Sequence, residues 1–317
     1  MKSTSYKPAL LAIGGAHIDR RGQVAGDYHP GASNPGAMRE EIGGVVFNAL
    51  RAAVARGIGG ELISLRGGDT VGDAIANAII DADVVDRSAV FLDRTSASYT
   101  AIIDQSGDLI VGFADMQIYD LFPKQLRRTG CRTAIRQADA VLTDANLPTD
   151  ALNLALAGPG GQNRFAIGIS PAKVVRLAGL LDRLDCLFMN RKEAAALTGL
   201  EVGAPTAELT AGLRQAGLAG GIITDGGRDV TGFDLSGTWT LTPPPLDRIA
   251  DVTGAGDALA GATIAALMLG HALPDAMRDG VAAALLTLLT ENVVADLNDV
   301  TFRTALARVP HAQKIRE

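Results

Sequence analysis

Apolar positions fall into short continuous runs, separated by longer stretches with helical spacing. The run Ala9 to Ile13 ends in Gly14-Gly15 and predicts a buried strand entering a tight turn. Gly44 to Arg56 carries Val45, Ala49, Ala52 and Ala53 on one side and predicts a helix. Glu61–Leu65 follows as a strand and Thr70–Ala82 as a helix. Ala89–Leu92 and Ser98–Asp104 alternate as exposed strands do. Gln105-Ser106-Gly107 predicts a hairpin turn, with Asp108–Phe113 as the returning strand. From about Lys124, helical and strand patterns take turns, with strands at Ala140–Thr143, Phe165–Ile169, Cys186–Met189 and Gly221–Thr224. Val230–Asp234 and Thr238–Leu241 are two further strands. They lead through Pro243-Pro244-Pro245 into a C-terminal part that reads as helical throughout.

Strands alternating with helices imply an α/β fold whose parallel sheet is covered on both faces. The polar, Gly- and Pro-rich stretch from Asp19 to Gly44 is too long for a plain connection, so it predicts a functional loop or an added substructure. With the alternating strands it suggests a small β element built from two insertions, 15–43 and 90–115. The large α/β unit is then 1–14, 44–89 and 116–317. An insertion near the start of the sheet is placed to cover a ligand at the strand ends, as a lid.

Composition narrows the function classes. At 317 residues, 47% hydrophobic and 20% charged, the chain resembles an ordinary globular protein with a sizeable core. A net charge of -6 speaks against nucleic acid or an anionic membrane as partner, so any phosphate site must be built locally from backbone N–H groups, a few cations and metal. Cys131 and Cys186 are the two cysteines and read as buried thiols. Met1 to Pro8 lacks a signal-peptide core, and the longest apolar stretches are too short to span a bilayer. A cytoplasmic location is the expectation.

The chemistry concentrates in Asp251-Val252-Thr253-Gly254-Ala255-Gly256-Asp257, which precedes a long helical run. Three small residues let backbone approach a ligand, and the N–H groups of a first helical turn have no intrahelical partners. With the helix dipole they make a site for negative charge, such as that of a phosphoryl group in transfer. Asp257 at the same helix start is placed to take a proton from an attacking hydroxyl. Taken alone, it equally reads as a helix N-cap. The Gly-x-x-x-x-Gly-Lys-Ser/Thr phosphate loop is absent, and the dinucleotide fingerprint fails because its third glycine would fall on Leu259.

This run resembles the C-terminal signature of the ribokinase-like (PfkB) family of carbohydrate and nucleoside kinases. Gly43-Gly44, Asn48, Gly57 and Gly67-Gly68 resemble its N-terminal Gly-Gly…Asn signature. The resemblance covers nearly the whole chain. It implies a three-layer α/β/α sandwich with a mostly parallel central sheet and a small β lid, with ATP as co-substrate and Mg2+ as cofactor. It implies Gly254, Ala255 and Gly256 as the anion hole, Asp257 as the base, and Asp19 as the acid holding sugar hydroxyls. Gly43, Gly44 and Asn48 match the sugar floor. Asn190 and Glu193 match an Asn-x-x-Glu motif linked to Mg2+ and its waters, although Glu193 alone is an ordinary first-turn helix acid. Thr224 and Gly226 match a nucleotide contact, and Asp251 and Thr253 match positions that often help hold a monovalent cation such as K+.

His17 stands where the family usually has Asn, and reads as structural as readily as ligand-binding. Gly168 replaces a usual acid, and Lys173 is a candidate phosphate contact. Ser33-Asn34-Pro35-Gly36, Thr95-Ser96-Ala97-Ser98-Tyr99 and Asp115-Met116-Gln117-Ile118 resemble the pseudouridine kinases within that family. They point to Asn34, Ser96 and Asp115 as substrate contacts, beside the plainer readings of turn and helix cap. Arg20, Arg21 and Arg39 suit either solvent or the phosphate of a phosphosugar. Other sugar and nucleoside kinases of the family, a non-catalytic ligand binder and a nicotinamide-dependent oxidoreductase are the rival readings. Exposed lid strands that pair between subunits would make a homodimer.

Overall fold

The computed structural model of the protein describes residues 6–292 and 294–315. Its central sheet has ten strands. Seven run parallel, in the spatial order Val84–Asp86, Gly59–Ile63, Ala9–Ile13, Ala140–Asp144, Asn163–Ile167, Cys186–Asn190 and Gly221–Thr224. Three antiparallel strands, Val230–Asp234, Gly237–Leu241 and Gln313–Ile315, complete one edge. The parallel strands are short apolar runs because both their faces are covered. Leu10, Leu11, Ala12 and Ile13 are all fully buried.

Two helical layers flank the sheet. One contains Val45–Ala55, Thr70–Asp81, Ala255–Met268, Leu273–Leu288 and Asp299–Arg308, packed on a core with Phe47, Leu50, Leu62 and Phe302. The other contains Thr129–Gln137, Thr149–Ala155, Arg191–Thr198 and Thr206–Gln215, over Leu11, Phe122, Leu152 and Leu187. The fold is therefore the three-layer α/β/α sandwich. No helix among the described residues is long and apolar enough to cross a membrane.

The polar stretch after Gly15 is a substructure and no loop. His17–Val24 and Gly36–Gly43 pair antiparallel, and His17–Val24 also pairs in parallel with Ser98–Ile103, which pairs with Leu109–Asp115. This four-stranded sheet draws on both segments expected to form the lid. The short strands Leu65–Gly67, Val84–Asp86 and Gln313–Ile315 escaped the sequence pattern, since three residues carry no measurable period. Val84–Asp86 closes one edge of the large sheet. Ala89–Phe91 pairs with Leu65–Gly67 in a separate ribbon and does not join the small sheet. Gln313–Ile315 returns to the large sheet, so the C-terminal part is not helical throughout.

Two features position the site. The neighbours of Ala9–Ile13 lead toward opposite edges of the sheet, so the strand order reverses beside it and a crevice opens where Ile13 and Asp144 end. Ala255–Met268 also lies close against Val45–Ala55. A Cβ on Gly261 would come within 2.1 Å of the Ala49 carbonyl oxygen, so only glycine permits this approach. That contact brings Asn48 to Asp257.

Candidate active site

Gly254 takes φ 79°, the left-handed conformation that glycine adopts without strain, and directs the chain into Ala255–Met268. The N–H groups of Ala255, Gly256 and Asp257 stand at the start of this 14-residue helix, ahead of the first helical bond, donated by Ala258 to the Gly254 carbonyl. Asp257 lies half-buried in the same turn. Its carboxyl is pushed from the usual 3.8 up to about 7, chiefly by burial, with Asp144 and Asp19 adding to the rise. The Asn48 amide and the Arg51 charge act against it. Asn48 Nδ2 donates to Asp257 Oδ2 at 2.9 Å.

Asp19 reaches the same corner from the small sheet, where its Oδ1 lies 3.3 Å from His17 Nε2. The other face of the His17 ring meets the Tyr119 hydroxyl at 3.2 Å, so the histidine bridges Tyr119 and Asp19 in a buried position. The two glycines of Gly43-Gly44 answer separate constraints. A Cβ on Gly43 would come within 2.2 Å of Asp19 Oδ2. Gly44 has φ 114°, and a Cβ there would sit 2.3 Å from the Gly15 carbonyl. The pair thus makes room for the Asp19 carboxylate and the Gly15 turn.

A third carboxyl, Asp144, ends its strand at the crevice and is fully buried. Its Oδ1 accepts from the Asn146 N–H at 2.8 Å, while its Oδ2 has no hydrogen-bond partner. Burial lifts it to about 6. Lys173 Nζ donates to the Asn146 side chain at 2.6 Å, beside this strand end. Asp144, Asn146, Arg51 and Tyr119 escaped the sequence reading. Arg51 lies one helical turn after Asn48 and so on the same helix face, a spacing that could have revealed it.

The residues expected on the nucleotide side cluster at neighbouring strand ends, with Asn190 directly opposite Thr224. Gly226 follows in a turn at φ 61°. Asn190 and Glu193 form a full capping box: Asn190 Oδ1 accepts from the Glu193 N–H at 3.0 Å, and Glu193 Oε2 accepts from the Asn190 N–H at 2.8 Å. Asn190 Nδ2 also donates to Glu193 Oε1 at 2.8 Å. The Glu193 carboxyl lies over Gly168, where a Cβ would approach Oε2 to 2.5 Å. Glu193 thus fills the space that a side chain at 168 would need. Among the described residues there is no cluster of three or more His, Cys, Asp or Glu fit for a metal. Mg2+, which favours phosphates and water over a protein cage, fits such a site if it arrives with the nucleotide.

Other expected residues are engaged locally. Asn34 Oδ1 accepts from the His29 N–H at 2.8 Å, and its Nδ2 donates to the His29 and Ala32 carbonyls at 3.0 Å, which closes its own turn. Ser96 is buried, donates to Asp69 Oδ1 at 2.6 Å and accepts from the Gly67 N–H at 2.9 Å. Asp115 ends its strand opposite Ser98. Asp251 Oδ1 accepts from Thr253 Oγ1 at 2.8 Å and from the Thr253 N–H at 2.9 Å, and its Oδ2 is ion-paired with Arg21. Arg21 Nη2 donates to Thr253 Oγ1 at 2.7 Å. A guanidinium already neutralises the acid expected to hold a monovalent cation, so K+ does not fit at Asp251 and Thr253 in this arrangement. Arg39 pairs with Glu291, and Arg20 Nε donates to Glu40 at 2.7 Å.

Between the small sheet and the loop at Asp251 and Thr253 lies a cavity of about 460 Å³, lined by Asp19, Arg21, Arg39, Tyr99, Asp251 and Thr253 among others. A larger hollow of about 1030 Å³ lies against Gly237 and Lys314 at the antiparallel edge, away from the strand ends that carry the carboxyls. The chemistry therefore favours the smaller cavity.

Comparison with known proteins agrees with this geometry. The pattern of the pfkB family carbohydrate kinases matches residues 7–299. The chain is 28% identical to the pseudouridine kinase of Escherichia coli K12 over 257 residues, which is 80% of this chain and 82% of that one. A carbohydrate kinase from Agrobacterium tumefaciens superposes with a TM-score of 0.86 and 41% identity, covering 97% of this chain and all of the other. A ribokinase II from E. coli, in complex with ATP and Mg2+, shares the fold at a TM-score of 0.81 and 17% identity, covering 95% of this chain and 99% of its own. The chain belongs to the pfkB family of carbohydrate kinases, phosphotransferases that act on hydroxyl groups.

Proposed function

We propose that the protein transfers the γ-phosphate of ATP to the 5′-hydroxyl of pseudouridine, giving pseudouridine 5′-phosphate. The observation that carries the reaction is the meeting of Asp257, Asn48 and Asp19 beside the N–H groups of Ala255–Met268. Asp19 accepts hydroxyls of the sugar and fixes the ribose. This places the 5′-hydroxyl at Asp257, which takes its proton as the oxygen attacks the γ-phosphate. The N–H groups after Gly254 stabilise the charge on the transferred group. Asn190, Thr224 and Gly226 hold the nucleotide, and Lys173 lies at the edge of the phosphate path. Mg2+ arriving with ATP would supply positive charge to the phosphates, and Glu193, held by Asn190 at this strand end, is the residue that would face its waters.

The small sheet acts as a lid that keeps water, the competing acceptor, from the phosphate. Its inner face carries Asp19, Arg21 and Tyr99, and the tyrosine ring offers a flat apolar surface to a base. The cavity volume of about 460 Å³ lies within the roughly 300–1,000 Å³ usual for small-molecule sites. For the acceptor, support comes from the similarity to the E. coli pseudouridine kinase over most of both chains. The ion pairs of Arg21 and Arg39 with Asp251 and Glu291 disfavour a phosphosugar, which would need those cations free. Asn34 and Ser96, expected to touch the base, hold their own loops and carry no part of this reading.

The test is the rate of ADP formation with pseudouridine, uridine, adenosine, ribose and fructose 1-phosphate. Pseudouridine is expected to give the highest kcat/KM. A clear preference for any other acceptor would refute the assignment and leave the family chemistry standing.

A further inference from the structure

Arg51 is a cation in an unusual place. It lies on Val45–Ala55, largely shielded from water, with its guanidinium 4.6 Å from the centre of the Phe47 ring. Its Nη2 donates to Asn48 Oδ1 at 2.6 Å and to the Ile42 carbonyl at 2.9 Å, while its Nε is buried without a partner. Burial pushes it from 12.5 down to about 10, and the charges of Glu41, Asp257 and Asp19 hold it up, so it remains a cation at neutral pH. An incompletely bonded buried guanidinium costs a fold stability, so its presence here points to a role beyond packing.

Its chemistry dictates the direction of the contact. A guanidinium has donors and no acceptor, so the Asn48 atom facing it must be the oxygen. The amide nitrogen is thereby turned toward Asp257, to which it donates at 2.9 Å. Both ends of Asn48 are engaged, and the residue expected on the sugar floor instead joins a buried cation to the catalytic carboxylate.

We propose that Arg51 is a positioning residue of the phosphoryl transfer: it locks the Asn48 amide so that Nδ2 holds the Asp257 carboxylate ready to accept the hydroxyl proton. This rests on the reading of Asp257 as the base. Two acids face Asp257 from other elements, Asp19 on the small sheet and Asp144 at the end of Ala140–Asp144, and both disfavour its charge. Arg51 is the neighbouring cation, from Val45–Ala55, that opposes them. Glu41, on Gly36–Gly43, acts on Arg51. Without Arg51 the amide is free to flip, which would turn its carbonyl oxygen toward Asp257 and favour the protonated, inactive acid.

The experiment measures kcat/KM against pH for Arg51→Met, Arg51→Lys, Asn48→Ala and the double variant, with melting temperature and nucleotide binding as folding controls. In Arg51→Met the acid limb should move to higher pH, with a loss of roughly tenfold near about pH 6 that largely vanishes near about pH 9. Arg51→Lys, which keeps a cationic donor, should restore most of the limb. The double variant should lose little beyond Asn48→Ala, because the two residues act through one contact. A loss equal at every pH, or losses that simply add, would overturn the proposal, since a merely structural arginine gives that result. Should Arg51→Met fail to fold, the limbs of Arg51→Lys and Asn48→Ala decide: an unmoved limb in Asn48→Ala overturns the proposal. Asp257→Asn separates the two levels of inference. Activity there would defeat the base itself, whereas an inactive Asp257→Asn with an unshifted Arg51→Met defeats only the relay.

Discussion

Asp257→Asn should make the protein more stable while abolishing its turnover, and the gain should depend on pH. The folded protein raises this carboxyl from the usual 3.8 to about 7, mainly through burial. The folded state therefore binds a proton that the unfolded chain has already released between those two values. The resulting stability is fully present below about 3.8 and is lost as pH rises through about 7. Between pH 5 and pH 8 the part of the shift that is crossed, about two units, corresponds to roughly 2–3 kcal/mol, at about 1.4 kcal/mol per unit. Sharing of protons with Asp19 and Asp144, and the part of the group that reaches the cleft, reduce this to about 1–2 kcal/mol. Asparagine stays neutral and can still accept from Asn48 Nδ2. Melting curves of both proteins at pH 5 and pH 8 should show the variant gaining about 1.5–3 °C more at pH 8, for a chain of this size. A gain that is the same at both pH values, or larger at pH 5, would refute the assignment of Asp257 as a carboxyl held near neutrality.

Three other substitutions probe the geometry. Gly43→Ala places a methyl 2.2 Å from Asp19 Oδ2 and should raise the KM for the acceptor about tenfold or more while leaving that for ATP nearly unchanged, as steady-state kinetics in each substrate will show. Gly261→Ala drives Cβ into the Ala49 carbonyl 2.1 Å away, so denaturant unfolding should register a loss of about 1–3 kcal/mol. Arg21→Met frees Asp251 from its ion pair and unties the lid strand from the catalytic loop, so the ratio of ATP hydrolysis to acceptor phosphorylation should rise. The unaltered protein should respond equally to KCl and NaCl at matched ionic strength, because Arg21 supplies the positive charge at Asp251.

The strand–helix alternation and the run ending in Asp257 were readable because each depends on local pattern. Buried parallel strands are short apolar runs, and an anion hole needs small residues before a helix. Asp19 and Asn48 were singled out by their motifs and the structure brings both to Asp257, but the reason for Gly43 was not legible. The demand on it comes from Asp19, 24 residues away along the chain but on the neighbouring strand of the small sheet. Arg21 meets Asp251 across 230 positions of sequence, so its reading as solvent-facing charge could not be excluded by any local feature. Asn34 and Ser96 are engaged locally in the structure. Their hydrogen bonds are made close by, with His29, Ala32, Gly67 and Asp69, and Asn34 closes the turn that its neighbours predicted. Three-residue edge strands such as Gln313–Ile315 have too little period to be seen and are stabilised by the strand already in place beside them.

Whether Asp257 is the base of a pseudouridine kinase is decided by following transfer of labelled γ-phosphate from ATP to pseudouridine by the unaltered protein and by Asp257→Asn, with nucleoside binding measured in parallel. The unaltered protein should give 5′-phosphorylated product, and the variant should lose roughly a thousandfold or more of the rate with binding retained. A variant that still transfers phosphate within about tenfold of the original rate would contradict that role for Asp257.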